Sequence, residues 1–68
     1  MDISIILNGE KHTIPKGTSV EALLGQLGIQ GRRLAVEVDS AVIPRSSHAA
    51  RTLAEGERVE IVHAIGGG

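Results

Sequence analysis

The sequence predicts an α+β roll, with one main helix packed on one face of a mixed sheet of four to five strands. Two-residue alternation of apolar and polar side chains recurs in several short segments, the mark of half-buried strands. A single stretch, residues 18–28, switches to helical spacing. The segments run β-β-α-β-β-(turn)-β, so a hairpin is followed by a crossing helix and by strands that return to the same sheet.

In "DISIIL", Asp2–Leu7, the side chains of Ile3, Ile5 and Leu7 share one face and those of Asp2, Ser4 and Ile6 the other. Asn8-Gly9 is a strong hairpin signal, because both central positions of a type I′ turn take positive φ. Residues 10–14, "EKHTI", form the returning strand, which Pro15-Lys16-Gly17 ends. Thr18 and Glu21 have the T-x-x-E spacing of a capping box. Val20, Leu23, Leu24 and Leu27 then make one apolar stripe, and Gly28 suits the left-handed C′ position. Leu34, Val36 and Val38 alternate with Ala35 and Glu37, and Asp39-Ser40 is a turn. Residues 41–45, "AVIPR", are a short extended piece that Pro44 confines to an edge or to the strand's end. Residues 46–57 hold about one helical turn, with Leu53 as anchor, and Glu55-Gly56 turns the chain. In "ERVEIVHAI", residues 57–65, Val59 and Ile61 point one way and Arg58 and Glu60 the other. Residues 1–65 are thus expected to be a single domain, with residues 66–68 a flexible glycine tail leaving directly from the final strand.

A chain of 68 residues has room for one small core and none for a deep enzyme cleft. With no aromatic residue the core must be built from Ile, Leu, Val and Ala, and stacking on nucleic-acid bases is excluded. With no cysteine there are no disulfides, thiolate ligands or thiol nucleophiles, which suits a reducing cytoplasm. A formal net charge of -1 argues against attraction to nucleic acid or anionic membrane. The first residues lack the basic start of a signal peptide, and no apolar run reaches spanning length. A soluble, cytoplasmic protein is expected.

Few side chains suggest chemistry. His12, His48 and His63 lack metal-ligand spacing and read as surface residues. The serines sit in no G-x-S-x-G elbow, Glu55 and Glu57 read as a solvated face, and Arg32-Arg33 falls short of a nucleic-acid patch. No phosphate-binding loop occurs. The stretch that stands out is "HAIGGG", residues 63–68. Its plain reading is a frayed or linker-like end, yet linkers of this kind usually contain Ser. Its chemical reading is a carboxylate at Gly68 that carries a covalent load, with Gly66 and Gly67 slim enough to thread a partner's narrow channel. Three extended residues reach at most ~10 Å. An acyl-adenylate would activate the carboxylate, and attack by sulfur would give a thiocarboxylate; the partner supplies the catalysis and the small protein the tether.

The chain resembles the ThiS family, small β-grasp (ubiquitin-like) sulfur carriers of thiamin thiazole biosynthesis. The resemblance rests on "LNGE" at residues 7–10, the "T-V-x-x-L-L-x-x-L" type helix from Thr18 to Leu27, "LAVEVDSAVIPRS" at residues 34–46, and "LAEGERVEIVHAIGGG" at residues 53–68. One departure is His48, where many members carry an aromatic such as Trp after the "P-R" motif. The resemblance implies that a ThiF-type enzyme uses ATP to adenylate Gly68, and that a sulfur donor such as a cysteine desulfurase supplies the sulfur. The thiazole synthase ThiG then accepts it. Gly67 and Gly66 carry over as the preceding glycines. It implies a protein cosubstrate rather than an enzyme, with no bound cofactor or metal, monomeric when free. The partner surface is expected on the outer sheet face beside the last strand, including Glu60 and Ile65. The alternatives are a related carrier for molybdopterin synthesis or tRNA thiolation, a ubiquitin-like modifier joined through Gly68 to a lysine, and a non-covalent module with an inert tail.

Overall fold

The computed structural model describes residues 1–29 and 34–63. It contains β1 (Asp2–Leu7), β2 (Glu10–Pro15), α1 (Val20–Leu27), β3 (Leu34–Val38), β4 (Ala41–Ile43), a 3₁₀ turn (Arg45–Ser47) and β5 (Arg58–His63). These strands form one five-stranded sheet in the order β2-β1-β5-β3-β4. β1 and β5 run parallel, and every other neighbouring pair is antiparallel, so the sheet is mixed as expected.

The β1–β2 hairpin owes its geometry to its turn. Asn8 (φ 50°) and Gly9 (φ 87°) both take the left-handed conformation, which a type I′ turn requires. The register that results pairs Ile3 with Ile14 and Asp2 with Pro15. β2 therefore continues one residue past the expected end. Counting from the turn, Pro15 stands opposite Asp2 at a site that exchanges no hydrogen bond with β1, so its missing N–H costs nothing there. Asp39 (φ 49°) and Ser40 (φ 73°) form the second such turn, between β3 and β4.

Alternation then divides the sheet. Ile5, Ile14, Val36, Val38 and Val59 are buried on one face, with Ile3, Leu7, Leu34, Ile43 and Ile61 packed around them. The helix brings Val20, Leu23 and Leu24 onto this face, and Leu27 and Ile29 seal its end. The predicted stripe is the buried face of α1. Gly28 (φ 71°) terminates the helix in a Schellman motif: its N–H donates to Gly25 and that of Ile29 to Leu24, both at 3.1 Å.

The start of the helix departs from the sequence expectation. The N-cap is Ser19, not Thr18: the Ser19 Oγ accepts the Ala22 N–H at 3.0 Å. Thr18 is buried, and its hydroxyl donates to the Pro15 carbonyl at 2.6 Å. The amides of Val20 and Glu21 donate to the carbonyls of Arg51 and His48, at 2.9 and 3.0 Å. The loop after β4 thus satisfies two helix-end donors, of which the expected capping box would have served the Glu21 amide.

That loop is more ordered than a solvated connection. Its helical turn lies at Arg45–Ser47, directly after Pro44, earlier than most of the expected window. Leu53 is buried as the expected anchor, and its N–H donates to the Thr18 carbonyl at 2.9 Å. Glu57 is not part of a solvated face: its Oε2 lies 2.6 Å from Arg51 Nη2 and its Oε1 accepts the Ala54 N–H at 2.8 Å. Arg51 also donates to the Thr52 carbonyl. Glu55 is exposed, yet its Oε1 accepts the Ser4 N–H at 3.0 Å. His48 is buried rather than on the surface, with Nε2 3.0 Å from the Ile43 carbonyl. A polar ring can fill this place because that carbonyl pairs with it.

Candidate functional site

β5 is the central strand, and both of its flanks are held. On one side β3 pairs along its whole length, from Val38↔Val59 to Leu34↔His63. On the other, β1 contributes only Ile6↔Arg58 and Leu7↔Val59 before it turns away. The ladder on this side is carried by Ile6 N–H to Glu57 O (2.9 Å) and Asn8 N–H to Val59 O (2.8 Å). Two turn side chains extend the grip. Asp39 Oδ1 accepts the Arg58 N–H at the start of β5, and Asn8 Oδ1 accepts the Ile61 N–H further along, both at 2.9 Å. The strand that leads toward the C-terminus is therefore fixed at the middle of the sheet.

The face away from the helix is open. Register places Ala35 beside Val62, and Glu37 between Glu60 and Val42, all on this face. Val42 and Val62 are 64% and 53% exposed, the large apolar side chains left uncovered within the sheet among the described residues. Glu60 is exposed on this face. Its cross-strand neighbour Glu37 carries the same charge, an arrangement that costs stability and brings no benefit inside an isolated sheet. Apolar side chains around an acidic pair suit a basic group set in an apolar partner surface.

The other predicted positions divide cleanly. Ile65, Gly66, Gly67 and Gly68 lie outside the described residues, as do Arg32 and Arg33. Among the described residues no group of three His, Cys, Asp or Glu side chains is placed to hold a metal ion, and no helix is long and apolar enough to cross a membrane. Sequence reasoning misses Glu37, Val42 and the second role of Asn8. The first two depend on strand register, which pairs residues across β3–β4 and β3–β5 that alternation alone does not join. Asn8 reads from the sequence only as a turn former.

Comparisons with known proteins bear on this arrangement. The family model described as "ThiS family" matches residues 5–68. Two curated relatives are named thiazole synthase: one from Paramagnetospirillum magneticum is 41% identical over 97% of this chain, and one from Magnetococcus marinus 44% identical over the same share. The chain spans about a fifth of the length of these two, 20% in each case. An uncharacterized protein ycf40 of Porphyra purpurea is 31% identical, with 98% of this chain and 94% of that protein covered. Among solved structures, a thiamine biosynthesis protein (ThiS) from Geobacter metallireducens superposes with a TM-score of 0.84 at 29% identity, covering 97% of this chain and all of that one. The mixed sheet with its single helix is therefore the β-grasp fold, and the chain belongs to the ThiS family.

Proposed function

We propose that this chain is a sulfur carrier that delivers sulfur for thiazole formation in thiamin biosynthesis, acting as a protein cosubstrate rather than an enzyme. The observation that carries the reading is the ThiS match, which runs from residue 5 to residue 68 and so takes in both the body and the three glycines. The relatives named thiazole synthase favour that acceptor over molybdopterin synthesis or tRNA thiolation.

The chemistry assigned to the end is a two-step activation. A carboxylate oxygen of Gly68 attacks the α-phosphorus of ATP in a ThiF-type partner, and pyrophosphate leaves. The terminal sulfur of a donor persulfide, such as a cysteine desulfurase carries, then attacks the acyl carbon, and a thiol cleaves the resulting acyl disulfide by taking the donor sulfur into a new disulfide; hydrosulfide reaches the same product without that thiol. AMP leaves and a thiocarboxylate remains for a ThiG-type synthase. Gly66 and Gly67 thread the partner's channel, while Glu60, Ile65 and the open face around Val62 hold the body. β5 supports this division of labour, because β3 pairs with it as far as His63 and holds its direction at the middle of the sheet, which lowers the ordering cost of docking. The site of action is the cytoplasm.

The test is intact-mass measurement after incubation with ATP, a ThiF-type enzyme and sulfide. Exchange of one oxygen for sulfur on the fragment containing Gly68 is the expected result. An unchanged mass with an active partner refutes the carrier reading, and high-mass conjugates point to a modifier. Deleting Gly68, or adding a residue after it, is expected to abolish loading without shifting the thermal transition.

A further inference from the structure

We propose that Asn8 is a positioning residue for the reaction at the C-terminus, because its side chain fixes the point at which β5 stops being held on both flanks. The inference rests on the carrier function proposed for the chain and names a residue of the body that serves it.

In a parallel pair, a residue donates its N–H to one residue of the partner strand and accepts from the residue two further on. Asn8 donates to the Val59 carbonyl, so its own backbone carbonyl would be next in line for the Ile61 N–H. The type I′ turn prevents this: at φ 50° the chain leaves the β1 direction and enters Gly9 and β2. The Asn8 side chain supplies the acceptor instead, with Oδ1 2.9 Å from the Ile61 nitrogen, across 53 residues of sequence. β1 pairs with β5 no further than Leu7↔Val59, so among the described residues this bond is the outermost grip on the β1 side.

Two demands therefore converge on one residue. It must accept a left-handed conformation, and it must carry a short side-chain carbonyl. Asn and Asp meet both; Gly meets only the first; Ser meets the conformational demand poorly and offers no carbonyl. Without the acceptor, β5 is held on both flanks only as far as Val59, and Ile61, Val62 and His63 gain freedom. Docking the C-terminal end in a partner then costs more ordering, a penalty on binding rather than on the chemical step.

The experiment compares Asn8→Gly, Asn8→Asp and Asp39→Gly with the unaltered protein. Asp39→Gly is the matched control, since it removes a side-chain acceptor from the other type I′ turn at the opposite end of β5. Amide hydrogen exchange reads the clamp, and pyrophosphate exchange by a ThiF-type enzyme, with the carrier as varied substrate, reads positioning. In Asn8→Gly the Ile61 amide is expected to exchange roughly two- to tenfold faster. The KM for the carrier should rise roughly three- to tenfold with kcat unchanged. Asn8→Asp should restore both, and Asp39→Gly should speed Arg58 exchange without raising KM. An unchanged KM in Asn8→Gly, or an equal rise in Asp39→Gly, overturns the proposal. The carrier function fails separately, by absence of exchange activity with the unaltered protein.

Discussion

The two faces of the sheet are made from the same strands yet solve different problems. The covered face collects Ile5, Ile14, Val36, Val38 and Val59 under the leucines of α1. The open face leaves Val42 and Val62 in solvent and sets Glu37 opposite Glu60. One face removes apolar area from water and supplies the stability that a chain of 68 residues has difficulty finding. The other retains exposed valines and a repulsive pair that an isolated fold gains nothing by keeping. The contrast teaches that strand parity separates the core from a face that the proposed function leaves free for recognition: neighbouring residues in β5 point to one or the other.

Four substitutions break or sharpen this contrast, in decreasing order of effect on stability. Leu23→Ala, at the fully buried centre of the covered face, is expected to cost about 2–5 kcal/mol. For a domain this small that lowers the thermal transition by more than about 10 °C, read by far-ultraviolet circular dichroism because the chain has no aromatic reporter. Glu57→Ala tests the rim of the same face: it removes the ion pair with Arg51, whose side chain is 36% exposed, and the acceptor of the Ala54 N–H, and should cost about 0.5–1.5 kcal/mol in urea unfolding. Glu60→Lys addresses the open face and carries the opposite sign. Facing Glu37, the new cation turns repulsion into attraction and should stabilise the fold by about 0.2–1 kcal/mol. The same change is expected to raise the KM for the activating partner, so stability and loading move apart. Ser40→Gly touches neither face. It relieves a non-glycine residue at φ 73° and should raise stability by about 0.5 kcal/mol, leaving the loading kinetics as they were.

Much of the fold is legible in the sequence, for reasons that can be named. Period-two alternation in Asp2–Leu7 and Leu34–Val38, and the leucine stripe of α1, report burial directly, and the structure obeys them. Asn8-Gly9 announces its turn because few residue pairs tolerate two positive φ angles. The features that stay concealed depend on partners far along the chain. Ser19 rather than Thr18 caps the helix because the loop carbonyls of His48 and Arg51 already serve its first amides. Glu57 looks solvated until Arg51 folds back on it. His48 looks like a surface histidine until the Ile43 carbonyl meets its ring. The candidate site is legible to a different degree. Alternation alone puts Glu60 on the exposed face, whereas Glu37 and Val42 emerge only when register sets them beside it.

The strand order has a consequence for how the molecule comes into being. β1–β2 and β3–β4 are local hairpins, and among the described residues no ladder joins one to the other except through β5. Pairing of Leu7 with Val59 closes a long loop, so the sheet is expected to consolidate late and slowly compared with its hairpins. A polypeptide interrupted before Arg58 would keep both hairpins and α1 but would lack the strand that joins the hairpins into one sheet. The central strand that leads toward the C-terminus is thus also the keystone of the fold, and a chain that stops short of it lacks the one element that joins the two halves of the sheet.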